Sequence, residues 1–153
     1  MILLMRDINE KLPAAVGKGA DGLTRVGCAT CHRGVPIPKR LTDIVTEAGG
    51  ATAGLTKFKE LRTQFYGGQS YDFSEGSLIA IAQRANTANK ADDALEYLNA
   101  NLEYYPKSAR TYVTMAAVKN AKGDKPGAIA ALEKAVELDP NNQAKTQLEN
   151  LKR

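Results

Sequence analysis

Residues 109–140 read ARTYVTMAAVKNAKGDKPGAIAALEKAVELDP, and residues 75–106 read EGSLIAIAQRANTANKADDALEYLNANLEYYP. The two stretches align at an offset of 34 positions. Pro106 then faces Pro140, Ala94 faces Ala128, Leu98 faces Leu132, Ile81 faces Met115 and Ala82 faces Ala116. Self-similarity at such a period marks a supersecondary unit that buries its apolar face only by stacking on a neighbour. Within the second copy, Tyr112, Met115 and Ala116 fall on the packing face of a first helix. Gly123-Asp124 makes a turn, and small Ala128 and Ala135 let a second helix approach closely. Leu138-Asp139-Pro140 ends the unit, since proline does not continue a helix.

The 34-residue period resembles that of tetratricopeptide helix pairs. The first copy, about residues 75–107, is more degenerate: Asn89-Lys90 stands in for Gly-Asp and Asn101 for the second alanine. The second copy spans about residues 109–141, and residues 143–152 read as a capping helix. Two repeats are fewer than a stable stack usually needs, so extra helices are expected to cover the ends. Leu55, Phe58, Leu61 and Phe65 form an apolar stripe at helical spacing that supplies one such helix. Tyr104, Tyr105 and Tyr112 sit at repeat positions and read as packing residues, not electron relays.

Upstream, Ile2, Met5, Ile8 and Leu12 recur at helical spacing, and Pro13 is expected to stop that helix. Residues 13–26 read as a Gly/Pro-containing loop. Residues 34–38, with Pro36 and Pro38, read as extended. Leu41 to Glu47 can form a further short helix. Gly49, Gly50 and Gly54 read as a flexible joint, dividing the chain into a segment 1–48 and a helical-repeat domain 55–153. The expected fold class is all-α, with no clear strand pattern.

The chemistry lies in Val26-Gly27-Cys28-Ala29-Thr30-Cys31-His32. Both cysteines and the sole histidine of the chain fall within five residues. Cys-x-x-Cys-His is the spacing of covalent haem attachment: two thiols add to the two vinyl groups of one porphyrin, and the adjacent imidazole reaches the iron. Three other readings compete. A thioredoxin-like redox pair is expected beside a strand–helix–strand pattern, a structural zinc site needs four ligands, and a plain disulfide leaves His32 without a purpose. Because the chain has one histidine, bis-histidine ligation within a single subunit is excluded.

Met1-x-x-x-Met5-Arg6-Asp7-Ile8-Asn9, followed by the motif, Arg33-Gly34, Pro36 and Pro38, resembles a haem-binding segment of the cytochrome c subunit of photosynthetic reaction centres and related bacterial multihaem cytochromes. The likeness covers about residues 1–40. It implies one haem c on Cys28 and Cys31, with His32 as proximal iron ligand. It also implies a distal methionine on the preceding helix: Met1 by position, with Met5, one turn away, as the alternative. Met115, a repeat core position, is a poor candidate. That subunit typically carries four haems and is exported. Met1 to Met5 is followed at once by Arg6, Asp7 and Glu10, which is no secretory signal. The chain is therefore expected to be a mature or shortened piece of a longer product, working in the bacterial periplasm or outside the cell.

Composition narrows the partners. Apolar residues make up 43% and charged residues 25%, with no apolar run long enough to span a bilayer. Residues 1–40 hold seven Lys/Arg against three Asp/Glu, whereas the remainder holds 14 of each sign. This modest basic excess around the cysteines suits haem propionates or an acidic redox partner. No basic, aromatic-interleaved stripe suggests nucleic acid. No second histidine, serine triad, carboxylate pair or phosphate loop suggests catalysis, so no enzymatic activity is expected. The leading expectation is an electron-transfer cytochrome whose helical repeats dock protein partners. The alternatives are a homo-oligomeric or filament-forming structural subunit containing haem, and a haem sensor with an open iron position.

Overall fold

A computed structural model describes residues 2–15, 26–33, 35, 39–140 and 143–153. The expected loop at 16–25, residues 34 and 36–38 of the expected extended segment, and Met1 lie outside the described residues. The described residues are all-α, with no strand among them. The helices are α1 (Ile2–Ala15), α2 (Cys28–His32), α3 (Leu41–Glu47), α4 (Ala51–Phe65), α5 (Glu75–Thr87), α6 (Ala91–Tyr104), α7 (Ala109–Ala121), α8 (Lys125–Leu138) and α9 (Ala144–Lys152). None of them is long and apolar enough to cross a membrane. The chain divides into two compact units, 1–39 with 68–70, and 40–67 with 71–153.

In the larger unit the helix starts follow the repeat. α5 and α7 begin 34 residues apart, as do α6 and α8. The turns match as well: Asn89 (φ 60°) occupies the left-handed conformation that Gly123 (φ 81°) takes in the next pair. Asparagine is among the few non-glycine residues that tolerate it, so Asn89 makes the turn that Gly123 makes, although Lys90 gives α6 no side-chain cap. Asp124 caps α8 by accepting a hydrogen bond from the Gly127 amide (2.9 Å), and Ser108 caps α7 by accepting one from the Thr111 amide (2.9 Å).

The core is built where small and large residues alternate. Leu78, Ala82, Ala94, Leu98, Ala128 and Ala135 are all at or below 1% exposure. Asn101, the apparent blemish in the first copy, is fully buried. Its Nδ2 donates to the Glu75 carbonyl (3.2 Å) and to Thr111 Oγ1 (2.8 Å), so it joins α6 to the starts of α5 and α7. Ser108 Oγ meets Thr111 Oγ1 (2.6 Å) and donates to the Glu75 carboxylate, extending the same network. Asn101 Oδ1 is buried without a partner among the described residues, so the donor side of the amide alone makes this link between the helices, which an alanine could not.

Three expectations change here. The segment 41–47 was assigned to the first domain, but α3 belongs to the larger unit because Leu41 and Val45 are buried in its core. α3 packs on α4 and on α5, and α4 packs on α6. α3 also begins 34 residues before α5, so α3–α4 takes the place of a preceding helix pair and covers the first repeat. Nor is Gly54 a joint. It lies inside α4, where a Cβ would come within 2.9 Å of the Val45 carbonyl oxygen and collide with the Tyr97 hydroxyl. Gly49 (φ 92°) and Gly50 (φ 91°) make the tight turn before it, and Tyr97 Oη donates to the Gly50 carbonyl (3.1 Å). In the smaller unit, α1 continues to Ala15 with Pro13 inside it, two residues beyond the expected stop.

Gly54→Ala is expected to destabilise the chain by about 1–3 kcal/mol, the usual range for overpacking, read as a lower urea midpoint with unchanged slope. Burial, followed by the charges of Asp93 and Glu96, pushes the Tyr97 phenol up. Its proton is therefore held more tightly in the folded chain. The stabilisation is complete below the unfolded phenol pKa of about 10 and is lost as pH rises through the folded value. Wild type should exceed Tyr97→Phe by about 1 kcal/mol at neutral pH, the worth of one hydrogen bond. That margin should shrink above about pH 10 in denaturation series; a constant margin contradicts this origin.

Candidate functional site

The motif helix α2 is about a turn and a half long. Residues three and four apart share a helical face, so Cys28, Cys31 and His32 point the same way. The turn is closed at its start by a reciprocal pair: the Thr30 amide donates to the Gly27 carbonyl (3.1 Å), and the Gly27 amide donates to Thr30 Oγ1 (3.0 Å). After His32 the chain reverses through Arg33, which takes a left-handed conformation (φ 49°). Its carbonyl accepts from Ser70 Oγ (2.5 Å) and its guanidinium reaches the Gln69 carbonyl (3.5 Å).

The reversal sets the histidine. The Val35 amide donates to the His32 carbonyl (2.9 Å), and His32 Nδ1 lies 3.0 Å from the Val35 carbonyl oxygen. A carbonyl oxygen only accepts, so Nδ1 is the donor, and in a neutral ring the Nε2 lone pair is left for a metal. Backbone carbonyls commonly orient metal-binding histidines in this manner. Val35 itself is buried, which anchors the acceptor.

Opposite the motif runs α1. Its side chains Ile2, Leu4, Met5 and Ile8, together with Val26, Gly27, Cys28, Cys31 and His32, line an open-sided cavity of about 190 Å³. The lining is almost wholly apolar. None of the described residues of α1 is buried, and Ile2 and Leu4 remain 70% and 60% exposed. Asn9 holds the helix to the motif segment. Its Oδ1 accepts from the Val26 amide (2.7 Å) and its Nδ2 donates to the Val26 carbonyl (2.8 Å). On the other side of α1, Asp7 and Lys11 pair across one turn (2.6 Å), an exposed contact of small energetic consequence.

Of the residues singled out from sequence, Cys28, Cys31, His32 and Met5 are brought together around this cavity. Met1 lies outside the described residues. Met115 is a core residue of the larger unit. Cys28 and Cys31 are free, exposed thiols and form no disulfide. Among the described residues no group of three or more His, Cys, Asp and Glu side chains converges as a metal-ion site. A bare ion needs such convergence, whereas an iron porphyrin does not. It brings four nitrogens of its own, asks for thiols at its edge and needs an imidazole at its centre. The apolar cavity, the two unpaired thiols and the available Nε2 fit that group. Sequence reasoning gave no role to Asn9 or to the Val35 carbonyl. A polar Asn one turn beyond Met5, on the apolar side of α1, was the available signal for the first; a backbone acceptor leaves none.

No protein-family model matches the chain, and no curated protein is similar enough to count as a relative. With both thiols exposed and unpaired, chain made without haem should take up two equivalents of an alkylating reagent under native conditions, counted by intact mass. Uptake of none after reduction contradicts this arrangement.

Proposed function

We propose that this chain is an electron-transfer c-type cytochrome with one haem, acting in the periplasm or outside a bacterial cell. The observation that carries the reading is that two unpaired thiols, a histidine with Nε2 available and a methionine all border one apolar cavity. Cys28 and Cys31 would hold the haem through thioethers. His32 would ligate its iron, oriented by the Val35 carbonyl. Met5 would supply the second protein ligand, because it lines the cavity; Met1, favoured by the resemblance, remains the alternative. The bound group supplies a one-electron couple, and methionine ligation raises its potential relative to two histidines. Ile2, Leu4 and Ile8 would exclude water from the haem face, which also favours a higher potential. The helix pairs α5–α6 and α7–α8, at the tetratricopeptide period, support a second role as a docking module for protein partners.

Chain exported through a cytochrome c maturation system should give a pyridine haemochrome spectrum and an intact mass equal to polypeptide plus one haem. A colourless product with the mass of its amino acids alone overturns the proposal. In the haem-loaded ferric protein, Met5→Leu should abolish the weak far-red band of a methionine–iron bond. A retained band removes Met5 from the ligand set.

A further inference from the structure

We infer that Asn9 is a positioning residue that keeps the α1 methionine on the haem iron; this rests on the cytochrome reading above. The argument starts from what restrains α1. The helix buries none of its described residues, so packing alone holds it weakly against the motif. Asn9 reaches across 17 positions of sequence and engages both polar groups of a single residue, Val26. A side-chain amide carries one acceptor and one donor group side by side, and it matches a residue's N–H and C=O in the way a neighbouring strand would. Two short bonds to one residue fix not only the distance of α1 from the motif but also its roll about its own axis.

Roll is the quantity a methionine ligand depends on. Met5 precedes Asn9 by four residues and so lies one turn away on the same face; Val26 precedes Cys28 by two. The clamp therefore ties the helix carrying the methionine to the backbone carrying the first thioether cysteine. Cutting it leaves the covalent attachment and the His32–Val35 contact untouched, since neither involves Asn9. The consequence is specific: the methionine spends more time off the iron, and an external ligand competes better. Apparent affinity for such a ligand scales with the fraction of open state.

The test uses the full haem-loaded chain and carbon monoxide as probe of the ferrous iron. Asn9→Leu, close in size and unable to make either bond, should raise carbon monoxide affinity about tenfold or more and weaken the ferric far-red band, with haem content unchanged by pyridine haemochrome. Asn9→Asp keeps the acceptor for the Val26 amide but sets a carboxylate against the Val26 carbonyl. It should shift both readouts in the same direction and serves if the leucine variant does not accumulate. Hydrogen exchange supplies a measurement on wild type itself, in which the Val26 amide should be protected. Haem-loaded Asn9 variants with wild-type carbon monoxide affinity and band, or an unprotected Val26 amide in wild type, overturn the inference and leave the cytochrome reading standing. A wild-type chain that carries no covalent haem removes that reading, and the inference with it.

Discussion

Helices of five to fifteen residues are too short to be stable alone in water, so each must be covered by something. In the larger unit other helices provide the cover. α3 lies against α4 and α5, α4 against α6, α5 against α6 and α7, and α8 against both α7 and α9. Alanines at 94, 128 and 135 bring those helices close enough for Leu98 and Leu132 to be almost wholly enclosed. Glycine at 54 does the same for α4, where the Tyr97 hydroxyl and the Val45 carbonyl occupy the space a side chain would need. In the smaller unit α1 has an apolar face of Ile2, Leu4, Met5 and Ile8 that no described element buries fully. A flat apolar cofactor laid against that face would meet the same requirement, and this is the physical link between the fold and the haem proposal.

On the haem proposal, the motif would hold such a cofactor with very little protein. One and a half helical turns present two thiols and an imidazole on one side, and a left-handed residue then brings a buried carbonyl back to the imidazole. Each feature answers a distinct chemical demand: attachment, ligation and tautomer. The basic excess of residues 1–40 would, on that proposal, suit haem propionates or an acidic redox partner.

The polar network at the junction of the helix pairs makes a related point about specification. Glu75, Asn101, Ser108 and Thr111 connect through side-chain and backbone bonds buried between α5, α6 and α7. Seen only as a deviation from the alanine at 135, Asn101 weakens the repeat. In place, its Nδ2 sets the register of one pair on the next, because a misregistered stack would leave that donor, like the buried Oδ1, without a partner in an apolar setting.

The all-α class, the 34-residue register and the clustering of Cys28, Cys31 and His32 were all determined by the sequence alone. Each rests on local spacing: a helical period, a repeat offset, or ligands separated by one helical turn. Tertiary structure decided what spacing cannot reach. α3 joined the larger unit because Leu41 and Val45 found a core there, although the glycines after it read as a boundary. Gly54 proved to be a contact point because two residues distant from it in the chain, Val45 and Tyr97, converge on its Cα. α1 ran past Pro13 to Ala15, although a proline there gives up a backbone bond and crowds the turn before it. The proton on His32 and the clamp by Asn9 depend on backbone groups of Val35 and Val26, and a backbone N–H or C=O is the same at every position of a sequence. Only folding determines which of them a side chain meets.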